Sequence, residues 1–324
     1  MPEILDTVLL LALPASGKSE VRRYLASIPP EACVRDFHMG PTVQLDDFPY
    51  VHLMRQIDLA LKGAGLPAVF FEGPDRSFVE RRDWGTLIEL VNEDHDDLVN
   101  LRVIAPASAG EWLLERLDTC RVRVGAPPPF QARSPEVRQR LIDAIEEDAR
   151  ALLRDKHAAY PDTLDGKTVV IEFARGGKAD APMPLAAPYG YAYSLSRLSD
   201  RILSQAAILY VWVTPEESRR KNEARADPND PGSILHHGVP MHVMLHDYGC
   251  DDMDHLIQTG DQPDHVRVEA HGRVFHLPVA RFDNRVDKTS FVRDPRERWD
   301  PQDVRALHEG LATALVRLAN LGGQ

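Results

Sequence analysis

Short apolar runs that stop abruptly at a polar residue recur along this chain, with stretches of helical spacing between them. The first, Thr7 to Leu13, is continuously apolar, as a strand buried on both faces of a parallel sheet requires. Four more follow. Thr42–Leu45 stops at Asp46-Asp47, Thr168–Ile171 at Glu172, Ala207–Val213 at Thr214-Pro215, and Val274–Ala280 at Arg281. The intervening segments Val51 to Lys62, Tyr191 to Gln205 and Pro215 to Arg225 read as helices. A last helix starts at Asp300-Pro301 and stops near Gly322-Gly323, with proline in the first turn and glycine past the end. Strands alternating with helices predict an α/β fold, a parallel sheet of about five strands flanked by helices and joined by right-handed crossovers.

The connection between Asp47 and Thr168 is far longer than the handful of residues such crossovers take. It holds a further strand candidate, Ala68-Val69-Phe70-Phe71, and a helical stretch, Glu111 to Leu117. Gly125-Ala126-Pro127-Pro128-Pro129 breaks the chain, and Ser134-Pro135-Glu136 opens a long amphipathic helix to Arg154. The expected organisation is a core of residues 1–63 and 165–324, with a helix-rich insert, 64–164, between the second and third core strands.

Between the first strand and the helix after it lies Ala12-Leu13-Pro14-Ala15-Ser16-Gly17-Lys18-Ser19. It matches the relaxed P-loop pattern, with Ala12 in place of the first glycine. In such a loop successive backbone N–H groups converge on phosphate, helped by the positive end of the following helix. Pro14, Ala15, Ser16, Gly17, Lys18, Ser19 and Glu20 form the expected cradle. Gly17 admits close approach, Lys18 reaches the outer phosphates, and the Ser19 hydroxyl ligates Mg²⁺.

The segment Leu13 to Ser19 resembles the P-loop kinases, the group that includes nucleoside, nucleotide and small-metabolite kinases. Weaker likenesses run through Asp46-Asp47, Ile171-Glu172-Phe173-Ala174-Arg175 and Trp212-Val213-Thr214-Pro215-Glu216-Glu217, covering the core and not the insert. The resemblance implies ATP and Mg²⁺ as cofactors and transfer of the γ-phosphate to a small hydroxylated molecule. It gives Asp46 or Asp47 the acceptor hydroxyl. Ligands of open α/β sheets bind at the carboxyl ends of the strands, where Glu172 also sits. A carboxylate buried there needs a partner: Mg²⁺, its water shell, Lys18, or a neighbouring basic residue. Arg175 then holds a substrate phosphate or carboxylate.

Three further stretches carry candidate chemistry. Arg219, Arg220, Lys221 and Arg225 cluster after the fourth strand, ahead of the turn-rich Ala226 to Ser233. They suit a phosphoryl-transfer lid, or else a solvated face balanced by Glu216, Glu217 and Glu223. Asn284-Arg285-Val286-Asp287 follows the last strand, where a nucleotide base packs in the resembling kinases. It also resembles the Asn-Lys-x-Asp guanine motif with arginine for lysine, but no Asp-x-x-Gly switch accompanies it, so ATP is expected over GTP. Eight of the thirteen histidines fall between His236 and His276. His242, His246 and Cys250 would align on an unbroken helix, but Gly249 interrupts it, and a polar loop is expected. Phe71-Glu72-Gly73-Pro74-Asp75-Arg76-Ser77 reads as a turn.

Bulk properties narrow the partners. The formal net charge is −12 over 324 residues, which argues against a nucleic acid bound through its phosphates. Cys33, Cys120 and Cys250 are far apart and odd in number, as in a reducing compartment. The run Val8 to Leu13 is too short to span a membrane, so a cytoplasmic protein is expected. A small-molecule acceptor is the expected partner. The rival is a regulatory nucleotide switch that uses the insert to engage a protein partner.

Overall fold

A computed structural model describes residues 4–225 and 238–322. The chain opens with β1 (Thr7–Leu11), α1 (Lys18–Ala26), α2 (Pro30–Phe37), β2 (Thr42–Asp46) and α3 (Phe48–Gly63). The long crossover contributes α4 (Asp83–Val99), α5 (Ala109–Arg123) and α6 (Pro135–Ala158). Then come β3 (Thr168–Phe173), α7 (Gly190–Ser196), α8 (Asp200–Leu203), β4 (Ala206–Trp212) and α9 (Pro215–Arg225). The last part holds α10 (Met241–His246), α11 (Met253–Thr259), β5 (His265–Ala270), β6 (Arg273–Asp283) and α12 (Pro301–Gly322).

The strands form one six-stranded sheet in the order β2-β3-β1-β4-β6-β5. All neighbours pair parallel except β5 on β6. The fold is thus α/β with a mostly parallel sheet flanked by helices, and it has one strand more than the apolar runs indicate. That strand, β5, is an edge strand whose side chains alternate between buried Val266, Val268 and Ala270 and solvent-facing Arg267 and Glu269. Its period-2 pattern is short and lies inside the histidine-rich stretch, which hid it. His271 and Gly272, both at positive φ (53° and 72°), close the hairpin to β6, as a two-residue hairpin turn demands.

Two other elements differ from expectation. Tyr191 to Gln205 is two short helices, because Ser199 starts a new one by accepting a hydrogen bond from Ile202 N. Ala68 to Phe71 joins no sheet and makes only an isolated bridge, Phe71 to Phe78. The N–H groups of Val69, Phe70 and Phe71, which a strand would offer to a neighbour, are taken by the Asp58 carboxylate of α3 at 2.7–3.2 Å.

Apolar side chains cover both faces of the sheet. A third core lies off the end of β2, where Leu53, Met54 and Ile57 of α3 meet Leu90, Leu113 and Ile145 of α4, α5 and α6. The helices after residue 64 therefore share their core with α3, and Ile88, Val91 and Leu98 of α4 also pack into the sheet. This fixes the insert beside the carboxyl ends of the strands. No described helix is long and apolar enough to cross a membrane.

Candidate functional site

Parallel pairing alone brings the acidic strand ends together. Asp46 and Glu172 are register partners on β2 and β3, and Leu10 of β1 stands opposite Glu172. The chain leaves β1 next to them and turns into α1 through the Ala12–Ser19 loop. Ala15 (φ 56°) and Gly17 (φ 106°) are left-handed on either side of Ser16, an alternation that curls a backbone into an anion-binding nest. Gly17 has a further reason to be glycine. A Cβ there would lie 2.5 Å from Thr289 Oγ1 and 2.8 Å from Asn284 Nδ2.

The loop's carbonyls are tied down from behind. Ser16 Oγ donates to Leu13 O at 2.5 Å, and buried Ser218 Oγ of α9 donates to Pro14 O at 2.7 Å. Asn284 Nδ2 donates to Ser16 O at 2.7 Å. Lys18 Nζ reaches Ala12 O and Leu13 O at 3.3 and 3.4 Å. In a trans peptide C=O and N–H point in opposite directions. Anchoring the Pro14 and Ser16 carbonyls inward therefore aims the Ala15 and Gly17 N–H groups at the cavity these residues line.

Asn284 thus braces the loop. Its amide also donates to Thr289 Oγ1 and its oxygen accepts from Lys288 N, so the side chain is spent on the protein rather than on a base. Asn284→Ala leaves Ser16 O buried without that donor and is expected to cost about 1–3 kcal/mol in urea unfolding. Arg285 is exposed, bound to Asp283 at 2.8 Å, with its guanidinium 3.8 Å from the Trp212 ring centre.

The carboxylates have specific partners. Arg22, one turn after Lys18 on α1, bridges Glu172 Oε2 at 2.7 Å and Asp46 Oδ2 at 3.2 Å. Lys18 Nζ lies 4.0 Å from the other Glu172 oxygen. Asp46 is pushed up to about 7 by burial and by the facing Glu172 and Asp47, against the Phe48 N–H and Arg22. Burial also raises Asp47, opposed by Arg175, whose Nη1 sits 2.7 Å from its carboxylate. Arg175 donates as well to Ser194 Oγ, Trp84 O and Ala174 O. It is 2% exposed, and it does not line the cavity. The expected substrate-holding arginine is instead the buried partner of Asp47. The chain turns back beyond it, where Gly176 and Gly177 pack on the 247–250 backbone.

Loop, carboxylates and insert enclose a cavity of about 290 Å³. Its floor is Pro14 to Glu20 with Asp46, Asp47 and Glu172. Phe48, Val51, His52 and Arg55 line one wall, spaced as a single stripe of α3. Phe71, Phe78, Trp84 and Tyr248 line the other. They form a continuous ring belt with successive centroids 4.7, 4.9 and 5.6 Å apart.

Other expected residues lie away from it. Arg219 and Arg220 of α9 pair with Glu216 and Glu217 on their own helix at 3.0 and 2.6 Å, and neither lines the cavity. The Arg225 side chain, the 226–233 segment, His236 and His237 lie outside the described residues. Glu20 lines the cavity but holds Arg293 at 2.6 Å, which occupies its side chain. The His242 and His246 rings lie 4.2 Å apart, tilted by 39°, while the Cys250 thiol donates to Lys178 O at 3.1 Å. No cluster of three or more metal-ligating His, Cys, Asp or Glu side chains occurs among the described residues.

Arg22 and the α3 stripe were missed in the sequence. Arg22 was findable: it sits four residues after Lys18 and so shares its helix face. The stripe is spaced like a core face, and only the cavity shows that it faces inward. No protein-family model and no curated protein matches the chain.

Proposed function

We propose that this protein is an ATP-dependent small-molecule kinase, transferring the γ-phosphate of ATP·Mg to a hydroxyl. One observation carries the reading: the back-braced loop and an acceptor-sized compartment form one continuous cavity, with three strand-end carboxylates at their junction. A switch acting through a protein partner needs no such compartment beside its terminal phosphate. Lys18 and the N–H groups of Ala15 and Gly17 hold the phosphates, and the acceptor lies between the α3 stripe and the aromatic belt. Its oxygen bonds to the γ-phosphorus as the bond from phosphorus to the bridging oxygen breaks. ADP leaves, and the hydroxyl proton passes to Asp46. Asp46 rather than Asp47 takes this role because Arg175 pins Asp47 while Asp46 is poised near neutrality.

The donors suit Mg²⁺, a hard cation that keeps most of its water and takes few protein oxygens. Ser19 Oγ would bind it directly and Glu172 through water, and it would neutralise charge on the phosphates. The α9 arginines enter this proposal only on closure over the loop.

The test is ADP formation from ATP with a panel of small alcohols. Turnover with one acceptor class supports the reading. Acceptor-independent hydrolysis coupled to capture of a protein partner would replace it with the switch. Two further results are expected. ATP binds more tightly than GTP in competition, because Asp287, the would-be guanine reader, is held by Lys221 at 3.0 Å and by Thr289 N and Ser290 N. Activity rises with pH through about 7, the region of the raised Asp46 pKa, because the base works only when ionised. That limb should vanish in Asp46→Asn along with most of the rate.

A further inference from the structure

Most arginines of this acidic chain sit against a carboxylate. The two that line the cavity do not. Among the described residues, Arg55 and Arg76 make no ion pair. Arg55 donates to Pro74 O at 2.6 Å and lies 4.0 Å above the Phe71 ring. Arg76 meets His242 Nδ1 at 2.9 Å and no carboxylate among the described residues. The carboxylates nearest them act at a distance, where Asp75 and Asp58 partly offset the burial of Arg55 without pairing with it. Asp58 is taken by the N–H groups of Val69, Phe70 and Phe71. Asp75 is exposed, and no ion pair joins it to either arginine. Asp247 is buried, with its pKa raised by that burial. Arg55 is half-buried, and burial lowers its own pKa. Arg55, kept in a half-dry wall with carboxylates only at a distance and no ion pair among the described residues, marks a place for an anion that arrives with a ligand.

The stripe on α3 gives the scale. From Asp47 to Arg55 is eight residues, about 12 Å at 1.5 Å per residue. The belt of Phe71, Phe78, Trp84 and Tyr248 lines the same cavity, with Phe71 under Arg55, and such rings take flat apolar bodies. Resting on the kinase reading, we propose that the acceptor is an anionic, ring-bearing alcohol. Its hydroxyl lies at Asp46 and Asp47, its ring lies against the aromatic belt, and its carboxylate, sulfonate or phosphate lies on Arg55 and Arg76.

The experiment is calorimetric titration of the full chain, without nucleotide, using matched phenols. These are 3-(4-hydroxyphenyl)propionate against its neutral amide, and 4-hydroxybenzenesulfonate against its sulfonamide. Each anion should bind about ten-fold or more tightly than its neutral partner, as charge-assisted bonds to a guanidinium imply. Arg55→Gln and Arg76→Gln should each lower that ratio, and Arg55→Lys should retain part of it. Arg76 is exposed, so its variant tests the idea even if Arg55→Gln folds poorly. The proposal fails if no anion outbinds its neutral partner, or if the ratio survives in the double glutamine variant. It fails too if Arg55→Gln weakens inorganic tripolyphosphate as much as the anionic phenols, for the arginines would then serve the nucleotide. Lys18→Ala should weaken tripolyphosphate and leave the phenol ratio intact. Failure of the phosphate-loop reading would therefore show in the polyphosphate arm alone.

Discussion

Lys18→Ala is expected to abolish ATP-dependent phosphate transfer while leaving a folded protein. Lys18 is 7% exposed, and its ammonium reaches Ala12 O and Leu13 O through long bonds of 3.3 and 3.4 Å. Its loss removes little from the fold, because Glu172 keeps Arg22 at 2.7 Å and the loop keeps its anchors from Ser16, Ser218 and Asn284. The catalytic loss is another matter. On the proposed kinase reaction, charge builds on the transferring phosphoryl group, and removing one positioned charge there costs about 10²–10³ in rate. If Lys18 also binds the ground-state phosphates, as proposed, its loss costs affinity as well. Single-turnover kinetics, nucleotide titration and circular dichroism together check this. Normal turnover in a variant with a native spectrum would remove the loop from the chemistry.

How much of this was legible in the residues depends on what each had to satisfy. Strands β1, β3 and β4 announced themselves because both faces are buried, so Val8 to Leu11 and Val169 to Ile171 have no polar alternation. Strand β5 did not, because an edge strand with a solvated face leaves only three buried residues in six. At the site, the burial of Glu172 called for a cation, and the structure supplies Arg22 with Lys18 more distant. Arg22 lies 150 positions from Glu172, and its one local signal is its place a turn after Lys18 on α1. Arg175 shows the opposite failure. Three residues past Glu172 looked close enough to meet a ligand, but the guanidinium turns into the interface with Trp84 and Ser194. Arg219 and Arg220 found their charges within one turn of their own helix, as local acid–base runs commonly do.

Arg175→Met is expected to be the most destabilising of these substitutions, by about 3–5 kcal/mol near neutral pH, the cost of stranding one member of a buried ion pair. Asp47 is 7% exposed and its partner 2%, so little water can take over when the guanidinium goes. Trp84 O and Ser194 Oγ lose donors as well. The deficit should depend on pH in a defined direction. Burial already raises the Asp47 pKa above its ordinary value, and Arg175 is the main influence holding it down. Without Arg175 the folded carboxyl sits higher still, so the native state binds more protons than the unfolded chain above the unfolded pKa. Stability then falls as pH rises through that interval and recovers toward acid. Urea unfolding of the variant at pH 5 and pH 8 should therefore show the smaller deficit at pH 5. Asp47→Asn/Arg175→Met, which removes both charges, should recover part of the loss at pH 8. A deficit equal at the two pH values and unchanged in the double variant would mean that Arg175 acts only through packing against Trp84 and Phe173. Asp47 would then not owe its position at the cavity floor to this pair.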